Sequence, residues 1–135
     1  MSKDRIVTVR PTEAVDTLQH LPNFVGVSRD TTGSTGIGMN IVVIPAGAAA
    51  EPHFHEGFET AIYILSGRIE TRYGEGLREV VVNETGDFLF IPAGVPHQPR
   101  NLSDTEAARA LVARNTAAEQ ESVVAYDPGA QSSGE

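Results

Sequence analysis

Beyond Pro22 the chain breaks into short apolar runs, each closed within a few residues by glycine, proline or asparagine. That punctuation leaves little room for helices of ordinary length and favours many short strands joined by turns. Runs with strand character cover residues 5–9, 24–28, 38–44, 59–65, 68–73, 77–82, 87–91, 97–101 and 108–114. Only 12–20 has helical character, with Thr12 as its N-cap and Pro22 as its stop. Ser66-Gly67 and Gly74-Glu75-Gly76 read as hairpin tips. The expected architecture is an all-β sandwich or small barrel with at most one or two short helices.

One tetrapeptide recurs. Ile44-Pro45-Ala46-Gly47 returns as Ile91-Pro92-Ala93-Gly94, and each copy ends a strand shortly before a histidine. Proline fixes φ and removes a donor, while glycine accepts positive φ, so the tetrapeptide turns the chain sharply. Two similar corners explain the repeat as well as a duplication does, and either way the turns aim histidines.

Composition then removes whole classes of function. At 135 residues the chain is expected to form one domain, over 1–126, with a polar, glycine-rich tail at 127–135 expected to be disordered. No cysteine is present, so disulfides, thiolate chemistry and cysteine-ligated zinc are excluded. A net charge of -8 argues against nucleic acid and anionic membranes as partners. No apolar run is long enough to span a bilayer, and the first residues lack a secretory pattern, so the expectation is cytoplasmic. The expected partner is a small-molecule substrate, and a homodimer is left open.

Three of the four histidines fall beside the two repeated turns. His53 and His55 are two apart, so on a strand both project to one face while Phe54 takes the other. His97 follows the second turn. With Glu59 they form a set of imidazoles and one carboxylate that divalent transition metals favour. A bare His-x-His pair is a weak signal, and beside Glu51 and Glu56 both histidines fit a solvated acidic loop equally well. His20 reads as a helix-end residue. Tyr63 offers a phenol to a substrate, although core packing explains it too. Phe88, Phe90, Phe54 and Phe58 are expected chiefly to fill the barrel. Gln98 should face away from the histidines, and Arg68, Arg72 and Arg78 should pair with acids on a solvated face.

The segment from Gly47 to Asn101 resembles the cupin superfamily, small barrels of the double-stranded β-helix (jelly-roll) type. The second motif of that family is matched in full: Gly86-x5-Pro92-x-Gly94-x2-His97-x3-Asn101. The first runs Gly47-x5-His53-x-His55-x3-Glu59 and then departs, because Gly67 follows after seven residues where the family has six. Counting forward from His55 places Glu59 at the ligand position, and counting back from Gly67 places Thr60 there. A threonine is a poor fourth ligand beside three imidazoles, which favours Glu59.

The resemblance implies one divalent ion (Zn, Mn, Fe, Ni, Co or Cu) held by His53, His55, Glu59 and His97. It also implies a choice of chemistry. Such an ion can act as a Lewis acid, as in cupin polyketide cyclases, sugar isomerases and decarboxylases, with Glu59 and Tyr63 as candidate catalytic groups. It can activate dioxygen, as in quercetinase-like cupins. Or the barrel can bind a metal or ligand without turnover. An enzyme of the first kind, acting on a carbonyl-bearing, aromatic or polyketide-like metabolite, is the expectation.

Overall fold

The structure, a computed structural model, describes residues 4–16, 21–118 and 123–129. Its strands are β1 (Val15–Asp16), β2 (Pro22–Val27), β3 (Gly38–Ile44), β4 (His53–His55), β5 (Thr60–Ser66), β6 (Arg68–Tyr73), β7 (Glu79–Glu84), β8 (Phe88–Ile91), β9 (His97–Asn101), β10 (Ala108–Arg114) and β11 (Val123–Ala125). Among the described residues, one helix, α1 (Arg29–Thr32), and a 3-10 turn at Glu75–Leu77 complete the regular structure. All named pairings are antiparallel. One sheet orders as β1-β2-β3-β10-β5-β8 and the other as β11-β4-β9-β6-β7. This is the all-β barrel that the sequence led us to expect.

Alternation decides what faces inward. Along β10 the buried residues are Ala108, Ala110, Val112 and Arg114, and along β5 Thr60 and Ile64. With Ile44 from β3 and Ile69 from the facing sheet, Ile64, Ala108 and Ala110 belong to the core cluster, so the interior lies between the two sheets. Ile64, 1 % exposed, is the largest fully buried side chain.

The repeated tetrapeptide acts as read: Gly47 and Gly94 sit at φ 70 and φ 81, values that cost an L side chain strain. At the β5–β6 hairpin Gly67 has φ 104, and a Cβ there would lie 2.8 Å from that of Ala108. No larger residue fits that approach.

Three expectations are corrected. Residues 5–9 are not a strand, and Ile6 is fully exposed; an apolar run without a partner strand gains nothing from being extended. The helix expected over 12–20 is not formed over its described part, because Val15–Asp16 pairs with Asn23 and Pro22 as an edge strand. The rest of that stretch, His20 included, lies outside the described residues, as does 130–135 of the expected tail. Phe88 and Phe90 do not fill the barrel: they are 79 % and 57 % exposed, because Leu89 and Ile91 take the inward positions of β8. No described helix is long and apolar enough to cross a membrane.

Candidate metal centre

β4 lies between β9 and β11, and His53 is the direct cross-strand partner of His97. Both histidines of β4 point inward, as the two-residue spacing requires. The three rings converge, with centroids 4.4 Å apart for His53 and His97, 4.9 Å for His53 and His55, and 5.2 Å for His55 and His97. All three are buried, and one ring nitrogen from each lies within 4.8 Å of the others. Small ring rotations would bring those atoms within reach of one ion, given ligand bonds of about 2 Å.

Backbone carbonyls orient two of the rings. His53 Nδ1 donates to the Glu51 carbonyl at 2.6 Å, and His97 Nδ1 to the Val95 carbonyl at 2.9 Å. A carbonyl only accepts, so each Nδ1 carries a proton, and in the neutral ring it is Nε2 that keeps the lone pair. In both cases the acceptor is two residues upstream with a proline between, in Glu51-Pro52-His53 and Val95-Pro96-His97. Proline favours an extended residue before it and lacks a competing N–H, so the dipeptide presents that carbonyl to the ring. The second turn is tied to the first histidine pair directly: the Gly94 N–H donates to the His55 carbonyl at 2.8 Å. Behind His55 packs the buried ring of Phe58, 5.1 Å away.

Burial, reinforced by the neighbouring His53, pushes His97 down to about 3, against the raising effect of the Val95 hydrogen bond. The imidazole is therefore neutral near pH 7 and ready to ligate. Below an unfolded value of 6.5 the unfolded chain takes up a proton that the folded chain refuses. Stability of the metal-free chain is thus fully present above pH 6.5 and should decline as pH falls from there toward 3. Urea unfolding in chelator between pH 7.5 and 4.5 measures this slope, and His97→Gln should flatten it. An unchanged slope in that variant would assign the effect elsewhere.

The carboxylate does not join this group. Glu59 is exposed and borders an outer groove with Ile37, Phe90 and Asn115, whose side-chain oxygen accepts from the Glu59 N–H at 2.8 Å. Thr60, 5 % exposed, faces the histidines' cavity instead. Tyr63 falls on the same outward parity and rests on Phe88, ring centroids 4.8 Å apart. Both residues proposed for catalysis therefore stand outside the cavity, for one reason: inward Thr60, Ile62 and Ile64 leave 59, 61 and 63 to the other face. Gln98 does face away, donating to the Ala50 carbonyl at 3.0 Å. Arg68 meets Glu84 across the β6–β7 pair at 4.0 Å, and Arg72 and Arg100 share Glu70 on the solvated face.

The cavity beside the histidines measures ≈ 90 Å³. Its wall is mostly Ile, Val, Leu and Ala, and among the described residues it carries no Asp, Glu, Lys or Arg. Thr60, Thr71 and Asn23 supply its other polar groups. Asn23 and Thr71 escaped the sequence reading, since a lone polar residue on a strand gives no signal until its face is known. Three buried imidazoles, two of them oriented by backbone carbonyls, fit a divalent ion, and among the described residues no carboxylate joins them.

Residues 40–114 match the cupin domain family, more than half of the chain. The chain is a cupin. Over 77 residues this cupin is 31% identical to Protein SchB of Streptomyces halstedii, a match covering 57% of the chain and 54% of SchB. The chain thus spans about half the length of that curated relative. The cupin domain of Schizosaccharomyces pombe Cnp3 superposes with a TM-score of 0.60 at 20% identity, over 76% of this chain and 69% of that one. Lactobacillus farciminis oxalate decarboxylase, as its formate complex, gives 0.67 at 19% identity, over 87% of this cupin and 33% of the larger protein. At such identities the likeness speaks for the fold alone.

Proposed function

We propose that this cupin is a metal-dependent enzyme of Lewis-acid type, which cyclises, isomerises or cleaves a small carbonyl-bearing metabolite, aromatic or polyketide-like. The observation that carries the reading is that, among the described residues, the cavity wall around the three buried imidazoles carries no Asp, Glu, Lys or Arg. A divalent ion held there by His53, His55 and His97 would keep its full charge and would polarise a carbonyl or stabilise an enolate. The apolar wall from Ile62, Ile64 and Val112 excludes water and so strengthens every polar contact inside. The Thr60 and Thr71 hydroxyls offer hydrogen bonds that orient an oxygen-bearing ligand. Among the described residues the wall carries no carboxylate, so the proton is assigned to the substrate's own groups or to water. The cavity's size favours entry of the reacting end of a substrate, and the lack of Lys or Arg on its wall disfavours phosphorylated sugars.

The runner-up is oxygen activation, which the same three histidines would support with a redox metal. Assaying zinc-loaded protein against aromatic and polyketide-like carbonyl compounds, in air and under nitrogen, separates the two. We expect turnover with zinc at a rate indifferent to oxygen. Turnover restricted to Fe, Ni, Cu or Mn with stoichiometric oxygen uptake would favour the dioxygenase. Tight metal uptake without turnover in any form would leave a binding module.

A further inference from the structure

Three buried side chains on the sheet opposite β4 and β9 form a chain of donors and acceptors. Arg114 Nη1 donates to Asn40 Oδ1, Asn40 Nδ2 donates to Asn23 Oδ1, and Arg114 Nη2 donates to the Ala118 carbonyl at 3.3 Å. Arg114, Asn40 and Asn23 are 5 %, 3 % and 4 % exposed. They sit on β10, β3 and β2 as diagonal neighbours, since Val112 pairs with Asn40 and Val25 with Asn40. Of the three, only Asn23 borders the cavity that holds the histidines.

The direction of this chain is dictated by its first member. A guanidinium only donates, so Asn40 must turn its oxygen to Arg114 and its NH2 to Asn23. Asn23 must then accept with Oδ1, which leaves its NH2 for the cavity. Each bond polarises the next, and a cation at the buried end makes the last N–H a stronger donor than a free amide. We propose that Asn23 is a positioning residue that binds an anionic or strongly polarised oxygen of the ligand, a carboxylate or enolate oxygen, with Arg114 acting on it through Asn40. The inference rests on the reading of this cavity as the ligand site, and it adds a second electropositive pole across from the histidines. The ligand class it selects has an oxygen anion at the end away from them.

The test uses acetate as the probe and the full chain labelled with nitrogen-15, with and without zinc. In the wild type, acetate should shift the Asn23 side-chain NH2 resonances, assigned by their loss in Asn23→Leu. That variant should weaken acetate by about tenfold or more, the range of a hydrogen bond to a charged group. Asn40→Asp is the sharper probe. A carboxylate at 40 accepts from both neighbours, so Asn23 must reverse and offer its oxygen to the cavity. Acetate should weaken by a similar factor while the backbone spectrum and zinc stoichiometry stay as in the wild type, an outcome that loss of packing would not give. If Asn40→Asp does not fold, Asn23→Leu carries the same comparison. The proposal is overturned if acetate binds neither form of the wild type, if it binds without moving the Asn23 amide, or if affinity is unchanged in the folded variants. Failure of zinc uptake alone counts against the metal centre instead, because the acetate response is also read in the metal-free chain.

Discussion

Alanine at His53, His55 or His97 should each lower divalent-ion affinity by more than the roughly 10- to 100-fold that loss of an outer hydrogen-bond partner costs in metal sites. The expectation follows from the site having three convergent imidazoles, so each substitution removes a third of its protein donors. Wild-type protein should hold close to one equivalent per chain, measured by metal analysis after dialysis without a histidine tag. Glu59→Gln should leave that stoichiometry intact, since Glu59 borders the outer groove. Thr60→Val should leave it intact too. His20→Ala is the control that sequence alone supplies. Metal content equal to that of the wild type in all three histidine variants would refute the centre.

Asn101→Ala should be the most damaging single change outside the core. Asn101 is 2 % exposed, and its Nδ2 donates to the carbonyls of Ile44 at 3.0 Å, Pro45 at 3.3 Å and Glu106 at 2.8 Å, while its Oδ1 accepts from the Ser103 N–H at 2.9 Å. The residue thus fastens the first Ile-Pro-Ala-Gly turn to the end of β9. Its loss strands several buried polar groups, at about 1–3 kcal/mol each before relaxation and water entry. A net loss of about 3 kcal/mol is expected, equivalent to roughly 10 °C or more in Tm for a chain of this size. Thermal unfolding followed by circular dichroism measures it. A shift of 2 °C or less would mean that the turn is held by its backbone bonds alone, such as Gly47 N–H to the Ser103 carbonyl at 2.7 Å.

The parts of this molecule that could be read in advance are those whose local chemistry leaves one solution. Four strands, β3, β6, β9 and β10, run between the residues expected, because glycine, proline or charge closes each run at both ends. The second cupin motif predicted its own geometry for the same reason: Pro92, Gly94 and Asn101 are each needed for backbone shape. The first motif misled at one point. Gly57 adopts φ 83 between His55 and β5, so strand parity does not survive the crossing, and counting forward reaches Glu59 at the outer groove. Counting back from Gly67 stays within one unbroken strand and reaches Thr60, which lines the cavity. Phe88 and Phe90 misled differently, because β8 is apolar on both faces and periodicity cannot choose between them. The Pro-His dipeptides were visible all along, but their meaning depends on a hydrogen bond that only folded geometry reveals. The Arg114–Asn40–Asn23 chain left no trace in the sequence, since its members lie 74 and 17 positions apart.

One consequence concerns handling the protein. β11 pairs with β4 so that Val123 faces His55 and Ala125 faces His53 across the ladder, and the chain beyond is pinned by the Tyr126 N–H to the Pro52 carbonyl at 3.0 Å and by the Gly76 N–H to the Tyr126 hydroxyl at 2.8 Å. Two of the three imidazoles therefore hang on a strand whose outer flank comes from the last part of the chain. Proteolytic trimming near residue 123, or a bulky fusion joined there, would open that flank and loosen the ligands without touching any of them. Reciprocity runs the other way as well: an ion held by the imidazoles would favour the docked segment by the same coupling free energy with which the docked segment favours the ion. Amide exchange at Tyr126 is accordingly a remote gauge of metal occupancy, readable without any knowledge of the substrate.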